Sequence, residues 1–362
     1  MQKFNFSFDT VLNTLSFGNV SFAILRELKN RGIQPNIFTG QIDNSAQKPD
    51  QELDSYISNL TGSAQKYHSR DNKCIKLWHI NGSLQSYSSL GNDLITFFEL
   101  DQLTPTEVNV LKNQRKVYVT SLYTQNIFKN YGVESVYLPL GFDSQNFSKI
   151  DNKKKIEGEV SFLMAGKLER RKGHFDILKL WAKKFGNKLG YKLNCAITNP
   201  FLNQDQFNNL INQILGGVRY WNINFIPWSK TNAEYNSVLQ SSDIIFALSG
   251  AEGFDLPVYH ATALGVWPLA LRAHVYTDYL NDKNAIFINH NGKKPAYDNM
   301  FFAQNQPFNQ GNIFSFSEEE FNSGCERAIQ KVKESPVNIF GLDLQKQTYK
   351  QTVDILLENL NK

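Results

Sequence analysis

Short apolar runs alternate with stretches of helical period along most of the chain. In the first part, NIFTG, CIKLWHI, DLITFF and KVYVTS read as strands, and SVYLPLGFD closes it. Between them, LSFGNVSFAILRELKNRG predicts a Gly-containing loop leading into a helix. That helix has Val20, Ile24, Leu25 and Leu28 on one face and is ended by Gly32. Further helices are expected over Thr106–Asn113 and Leu122–Tyr131, while polar residues 44–72 show little periodicity and read as a loop or loose helical excursion. The pattern then restarts. VSFLMAG, KLNCAIT, INFIP, DIIFALS, VWPLAL and AIFIN are strands separated by helices or loops, SEEEFNSGCERAIQKVKES opens a helix with a capping box, and a last helix covers Leu344–Leu360. Repeated strand-helix alternation in both halves predicts an α/β chain with two parallel, doubly wound sheets.

At 362 residues the chain is long enough for two domains. The polar stretch holding Lys153, Lys154 and Lys155 reads as the linker, which sets an N-terminal domain at 1–150 and a second at 151–342. A net charge of +4, balanced in each half, argues against a nucleic-acid partner. Cys74, Cys195 and Cys325 are far apart in sequence, so neither a disulfide framework nor a zinc site is expected, and a reducing cytoplasm fits. The opening MQKFNFSFDTVLN contains no secretory apolar core, and no run approaches the ~20 residues of a membrane span. One exposed amphipathic face would still suffice for peripheral membrane contact.

Two segments carry candidate chemistry. The first, GKLERRKGH (Gly166–His174), follows the strand VSFLMA. Gly166 permits close backbone approach, and Lys167 and Lys172 offer two ammonium groups ahead of a helix, an arrangement suited to a diphosphate. A solvated basic turn explains the same residues, and the spacing is not that of a Walker loop. The second, SGAEGFDLPVYHATALG (Ser249–Gly265), follows DIIFALS. Asp255 is placed to cap a helix, Pro257 falls in its first turn and Gly265 at its end. Glu252 and Gly253 have no such structural reason. A carboxylate there could accept hydrogen bonds from sugar hydroxyls, or be a solvated turn acid.

Taken in order, LMAGKLERRKGH, FIPWSKTNAEYNSVLQSSDIIFALS, EGFDLPVYHATALGVWPLALRA and the hinge PLGFD resemble glycosyltransferase family 4, retaining enzymes of the GT-B fold. In the first half, ITFFELDQLTPTEVNVLKNQRKVYVTSLYTQNIFKNYGV is similar to that family too. The resemblance implies two Rossmann-like domains facing a cleft, with a hinge near 141–156 and residues 343–362 forming a helix that crosses back onto the first domain. It implies a nucleotide-sugar donor as substrate and no cofactor. Lys167 and Lys172 match the family's diphosphate contacts, and Glu252 the first acid of its E-x7-E pattern. The backbone of Phe254, Asp255 and Leu256 would face the sugar or phosphate, and Pro227, Trp228 and Ser229 the nucleobase. Trp228 is open to the alternative of a packed aromatic.

Several positions depart from the family pattern. The second acid of E-x7-E falls on His260, whose neutral imidazole could offer a ribose one hydrogen bond. Asp255 replaces a glycine and brings negative charge towards the diphosphate unless it turns away as a cap. His274 and Val275 stand where many members have two glycines, with Asp278 following. In the first domain Gly18 and Asn19 are expected in a strand-to-helix loop near the donor phosphate, a plain turn being the alternative. Glu99 is the first choice for an acceptor-side polar group, and His79 is either functional or buried and satisfied. Ser121 is expected to cap its helix. The resemblance leads to transfer of a sugar to a hydroxyl on a glycan, a lipid-linked sugar or a protein, with retention and without a metal, since no D-x-D motif occurs. A nucleotide-sugar 2-epimerase on the same fold and a non-catalytic sugar-binding relative remain as alternatives.

Overall fold

A computed structural model describes residues 6–150 and 158–361, so the expected linker at Lys153–Lys155 lies outside the described residues. The first half is a six-stranded sheet paired in parallel throughout. Its strands are β1 (Phe6–Asp9), β2 (Asn36–Phe38), β3 (Lys73–Leu77), β4 (Asn92–Thr96), β5 (Lys116–Val119) and β6 (Val136–Tyr137), in the order β2-β1-β3-β4-β5-β6. Around it lie α1 (Ser16–Asn30), α2 (Gln51–Tyr67), α3 (Pro105–Lys112) and α4 (Leu122–Asn130).

One element here was not expected, and a second settles an alternative left open. β1 lies inside the sheet, yet its polar alternation hides it: Ser7 is fully buried and its hydroxyl meets His68 Nδ1 at 3.2 Å. Residues 44–72 contain the long helix α2, started by the Asp50 carboxylate accepting the Leu53 N–H at 2.9 Å. It buries Leu53, Ile57 and Ala64 and packs half-buried Tyr56 and Leu60 against the core, a stripe of helical spacing set among largely polar residues.

The second half repeats the plan. It contains β7 (Val160–Ala165), α5 (His174–Phe185), β8 (Tyr191–Ala196), α6 (Gln204–Leu215), β9 (Ile223–Phe225), α7 (Asn232–Leu239), β10 (Ile244–Ala247), α8 (Leu256–Ala263), β11 (Trp267–Leu271), the single turn α9 (Tyr276–Tyr279) and β12 (Ile286–Ile288). Its sheet order is β12-β11-β10-β7-β8-β9, again all parallel. Phe162, Trp181, Phe246 and Phe321 are almost fully buried around the central strands, with Phe246 stacked on Phe162 and Phe321 and Trp181 edge-on to Phe162.

After β12 the chain makes an antiparallel hairpin, β13 (Gly292–Pro295) with β14 (Asn312–Ser315), whose connecting residues 296–311 reach the first half. The pattern of the sequence gave no sign of it. Next comes α10 (Glu318–Glu334). Ser317 accepts the Glu320 N–H at 3.1 Å, but the Glu320 carboxylate takes the Asn289 N–H, so only half of the expected capping box forms. A 3-10 helix over Gly341–Lys346 leads to α11 (Tyr349–Leu360). α11 lies against α1: Arg31 pairs with Asp354 at 2.6 Å, and Thr352 donates to the Pro139 carbonyl at 2.8 Å.

Candidate functional site

Loops that follow β3, β4, β7, β9 and β10 open into one cavity of about 740 Å³ between the two sheets. Carboxyl ends of parallel strands are where an α/β fold leaves backbone and side chains free for a ligand. Lys167, Lys172, Glu252, Gly253, Phe254, Asp255, Leu256 and His260 all line this cavity. So do Gly166, Pro227, Trp228, Ser229, Asn19, His79 and Glu99. Of the residues singled out from the sequence for the site, Gly18 alone is elsewhere.

The electrostatic centre is Arg171, a residue to which the sequence reading gave no role. Its guanidinium is almost fully buried and pairs with Glu252 at 3.0 Å, Glu99 at 3.0 Å and Glu169 at 3.2 Å. It also donates to the Ala251 carbonyl at 2.5 Å, while its own carbonyl accepts the Gly250 N–H at 2.8 Å. The planar, multi-donor guanidinium can hold several carboxylates at once, as an ammonium cannot. Lys172 pairs with Glu252 at 2.5 Å and lies 3.9 Å from Asp255, and its aliphatic chain passes over Gly166. Lys167 pairs with Glu169 at 2.9 Å and sits over the Phe301 ring at 4.7 Å.

Three cations thus face four carboxylates, and the carboxylates do not respond alike. Glu252, although desolvated, is held down to about 2 by Arg171 and Lys172. Glu99 is pushed up to about 7, because burial outweighs its Arg171 partner and Glu252 and Glu169 repel it. Burial also raises Asp255 against the pull of Lys172. Glu99 and Asp255 are thus the carboxylates of the cluster whose charge burial disfavours.

Asp255 keeps the left-handed backbone of a glycine, with φ +64°. Aspartate tolerates that region better than most side chains. Its carboxylate turns back as a cap, 3.5 Å from the Val258 N–H, and accepts the Tyr276 hydroxyl at 2.6 Å. Its charge remains within the site. Gly253 is required by a close approach: an added Cβ would lie 2.8 Å from Phe97 Cβ and 3.0 Å from Phe97 backbone atoms. Across the same seam, Thr120 Oγ1 donates to the Gly253 carbonyl at 2.7 Å.

His260 is not placed as expected. Nδ1 is 2.9 Å from the Leu256 carbonyl, Nε2 accepts the Asp143 N–H at 3.4 Å, and the ring stacks on Phe147. Burial lowers it to about 4, so it is neutral, and its one N–H is spent on the backbone. The hydrogen bond anticipated for a ribose is already taken. Gly18 and Asn19 likewise belong to the first turns of α1, not to a loop, and the Asn19 N–H donates to Leu15 within the helix. The Asn19 side chain bridges the halves, accepting from Gln47 at 2.7 Å and Asn232 at 3.0 Å. Gly18 serves packing, since a Cβ would meet the Asn13 backbone.

His79 rests its ring on Phe17 at 4.6 Å and opens to the cavity. Desolvation there, then the Lys167 ammonium, lowers its pKa. Trp228 is 45% exposed at the cavity edge, a half-bare ring where the alternative was a packed one. His274 is buried, its Nε2 on the Ser249 carbonyl at 2.8 Å, and Asp278 accepts the Leu122 N–H at the start of α4. Ser121 caps that helix on Thr124. Among the described residues no group of three or more His, Cys, Asp or Glu could hold a metal ion, and no helix is long and apolar enough to cross a membrane.

Comparison with known proteins finds likeness in one segment and in the fold. Residues 146–296, which carry the cation cluster and α8, match the family Glycosyl transferases group 1. Sucrose-phosphate synthase from Thermosynechococcus elongatus superposes with a TM-score of 0.66 at 12% identity, covering 100% of this chain and 98% of its own. Anabaena HepE in complex with UDP and glucose does so with 0.64 at 12%, covering 98% and 99%. The catalytic domain of starch synthase IV from Arabidopsis thaliana, bound to ADP and acarbose, gives 0.64 at 10%, covering 98% of each. No curated protein matches the chain by sequence. The fold is the two-lobed α/β arrangement also seen in GT-B glycosyltransferases, and the stretch of the second lobe over residues 146–296 is similar to group 1 glycosyl transferases.

Proposed function

We propose that the protein is a glycosyltransferase that moves a sugar from a nucleotide-diphosphate donor to an acceptor hydroxyl, with retention at the anomeric carbon. One observation carries this reading: Lys167, Lys172 and the amino end of α8 converge on a single cavity, within the segment that matches group 1 glycosyl transferases. As the bond from the anomeric carbon to the diphosphate breaks, negative charge grows on the leaving group. Fixed ammonium groups and a helix N-terminus stabilise that charge without reorganising. Lys172 can turn further N–H donors towards phosphate while keeping Glu252. Glu252 is the donor-sugar contact, and Arg171 is a positioning residue that fixes it. Pro227, Trp228 and Ser229 line the same cavity and are assigned to the nucleobase. Residues 1–150 supply the acceptor side and 151–342 the donor side, with 343–362 packed back on the first.

We assign no metal to the reaction, because two lysines already face the diphosphate position. The protein would act in the cytoplasm. Thermal shift across UDP-, GDP-, ADP- and dTDP-sugars identifies the donor, because a ligand of the folded state raises its melting temperature. Transfer with that donor should survive EDTA, and NMR of the product should give the donor's anomeric configuration. An inverted product, or loss of activity in EDTA restored by a divalent cation, refutes those two assignments. Epimerisation of UDP-N-acetylglucosamine without acceptor would replace the transferase reading altogether.

A further inference from the structure

Residues 292–315 leave the second sheet and continue the core of the first half. Ala296, Phe302 and Ile313 are buried in one apolar cluster with Leu100, Leu103 and Val110. Polar contacts fasten the same strap along residues 101–107. The Asp101 carboxylate accepts the Asn312 N–H at 2.7 Å and pairs with Lys293 at 3.0 Å. The two oxygens of buried Glu107 take the N–H groups of Asn309 and Thr104, each at 2.8 Å. Gln102 and Thr104 donate to the carbonyls of Gln310 and Pro307, each at 2.6 Å. Nearly all of the strap lies beyond the stretch that matches group 1 glycosyl transferases.

The strap also forms a wall of the cavity through Phe301, Phe308 and Asn309, with Trp78 and Asn81 from the loop after β3. Phe308 and Trp78 are half-buried and pack against the same apolar cluster. Building on the glycosyltransferase reading, we propose that this wall is a saccharide-binding subsite for the acceptor, in which Trp78 and Phe308 take the apolar face of a pyranose ring and Asn81 and Asn309 its hydroxyls. Aromatic faces beside amides match a ring that is apolar on its faces and polar around its rim. A peptide laid along the strap would want unpaired backbone groups, and those at Pro307, Asn309, Gln310 and Asn312 are already bonded to the first half. A lipid tail would want a wall without amides.

Saturation-transfer NMR tests this on the full chain with UDP present, using methyl hexopyranosides, their disaccharides and a Ser/Thr peptide. Ring protons of at least one saccharide should receive saturation. Phe308→Leu keeps apolar bulk without a planar face and should weaken that binding about tenfold. Phe308→Tyr should preserve it. Melting temperature confirms that each variant is folded. No saccharide signal, signal from the peptide alone, or saccharide binding unchanged in both Phe308→Leu and Trp78→Leu overturns the proposal. Nucleotide-sugar binding, followed separately by thermal shift, reports on the transferase reading. A chain that binds saccharide but no nucleotide would keep the subsite and lose the transferase.

Discussion

Lys172 and Glu99 lie within one charge network, yet they make opposite demands on a bound diphosphate. Lys172→Ala removes a preorganised cation from the leaving group and should lower turnover about a hundredfold. Turnover like the parent's would place the diphosphate elsewhere. Glu99 faces Arg171, Glu252, Glu169 and Lys172, and it rises to about 7 while Glu252 falls to about 2. Above pH 7 its carboxylate adds negative charge beside the expected phosphates, and below pH 7 it does not. Affinity for the donor should therefore increase as pH falls from 8 to 6, with proton uptake on binding. Calorimetry in buffers of different ionisation heat measures that uptake, and Glu99→Gln should abolish it and flatten the profile. A flat profile in the parent protein would show that Glu99 does not hold the proton. Arg171 escaped sequence reading for a physical reason. In ERRK every residue is of a surface type, and only the arrival of three carboxylates from two sheets makes burial of that arginine tolerable. Asp255 was legible as a cap, but its pairing with Tyr276 depends on a contact that spacing along the chain does not encode.

At the scale of elements, the seam between the loop after β4 and the loop after β10 depends on Gly253. Its missing Cβ is opposed by Phe97 Cβ and backbone, not by a flexible side-chain end, so no rotamer change can relieve a clash. Gly253→Ala should force the loops apart and cost about 1–3 kcal/mol, read as a lower urea midpoint at unchanged slope. An unchanged midpoint would mean that the two loops are not seated together. Sequence pattern fared unevenly with the elements themselves. Strands β7, β10 and β11 were plain because each is a compact and mostly buried apolar run, while β3, β4, β5 and β8 showed through a shorter apolar stretch beside polar residues such as Lys76, Asp93, Lys116 and Asn194. β1 was missed because its polar residues are buried too, as Ser7 on His68 shows. α2 was anticipated only as one alternative, a loose helical excursion, because its stripe of Leu53, Tyr56, Ile57, Leu60 and Ala64 has helical spacing but is set among largely polar residues.

For the molecule as a whole, the strap decides how far the two lobes can move. A cleft between lobes joined by a hinge alone could open and close about its donor. Here, parting the lobes on the strap side would expose Phe302 and Ile313 to water and break the bonds of Asp101 and Glu107 together. Burial of that kind stabilises by about 25 cal/mol per Å² of apolar surface, and the hydrogen bonds add to it. The lobes should thus hold their spacing with the cavity empty. Small-angle scattering should give a radius of gyration near the ~21 Å of a compact chain of this length, little changed by saturating nucleotide-sugar. Weakening the strap by Asp101→Ala together with Phe302→Ala should restore motion, giving a larger radius without ligand that contracts when the donor binds. Contraction of the parent protein by as much as the variant would refute the tie. Transfer rates would then divide along the same line, because a strap that fixes the lobes also fixes the distance from the Lys172 ammonium to the wall carrying Phe308. Freeing it should raise the Michaelis constant for acceptor before it alters the affinity for donor.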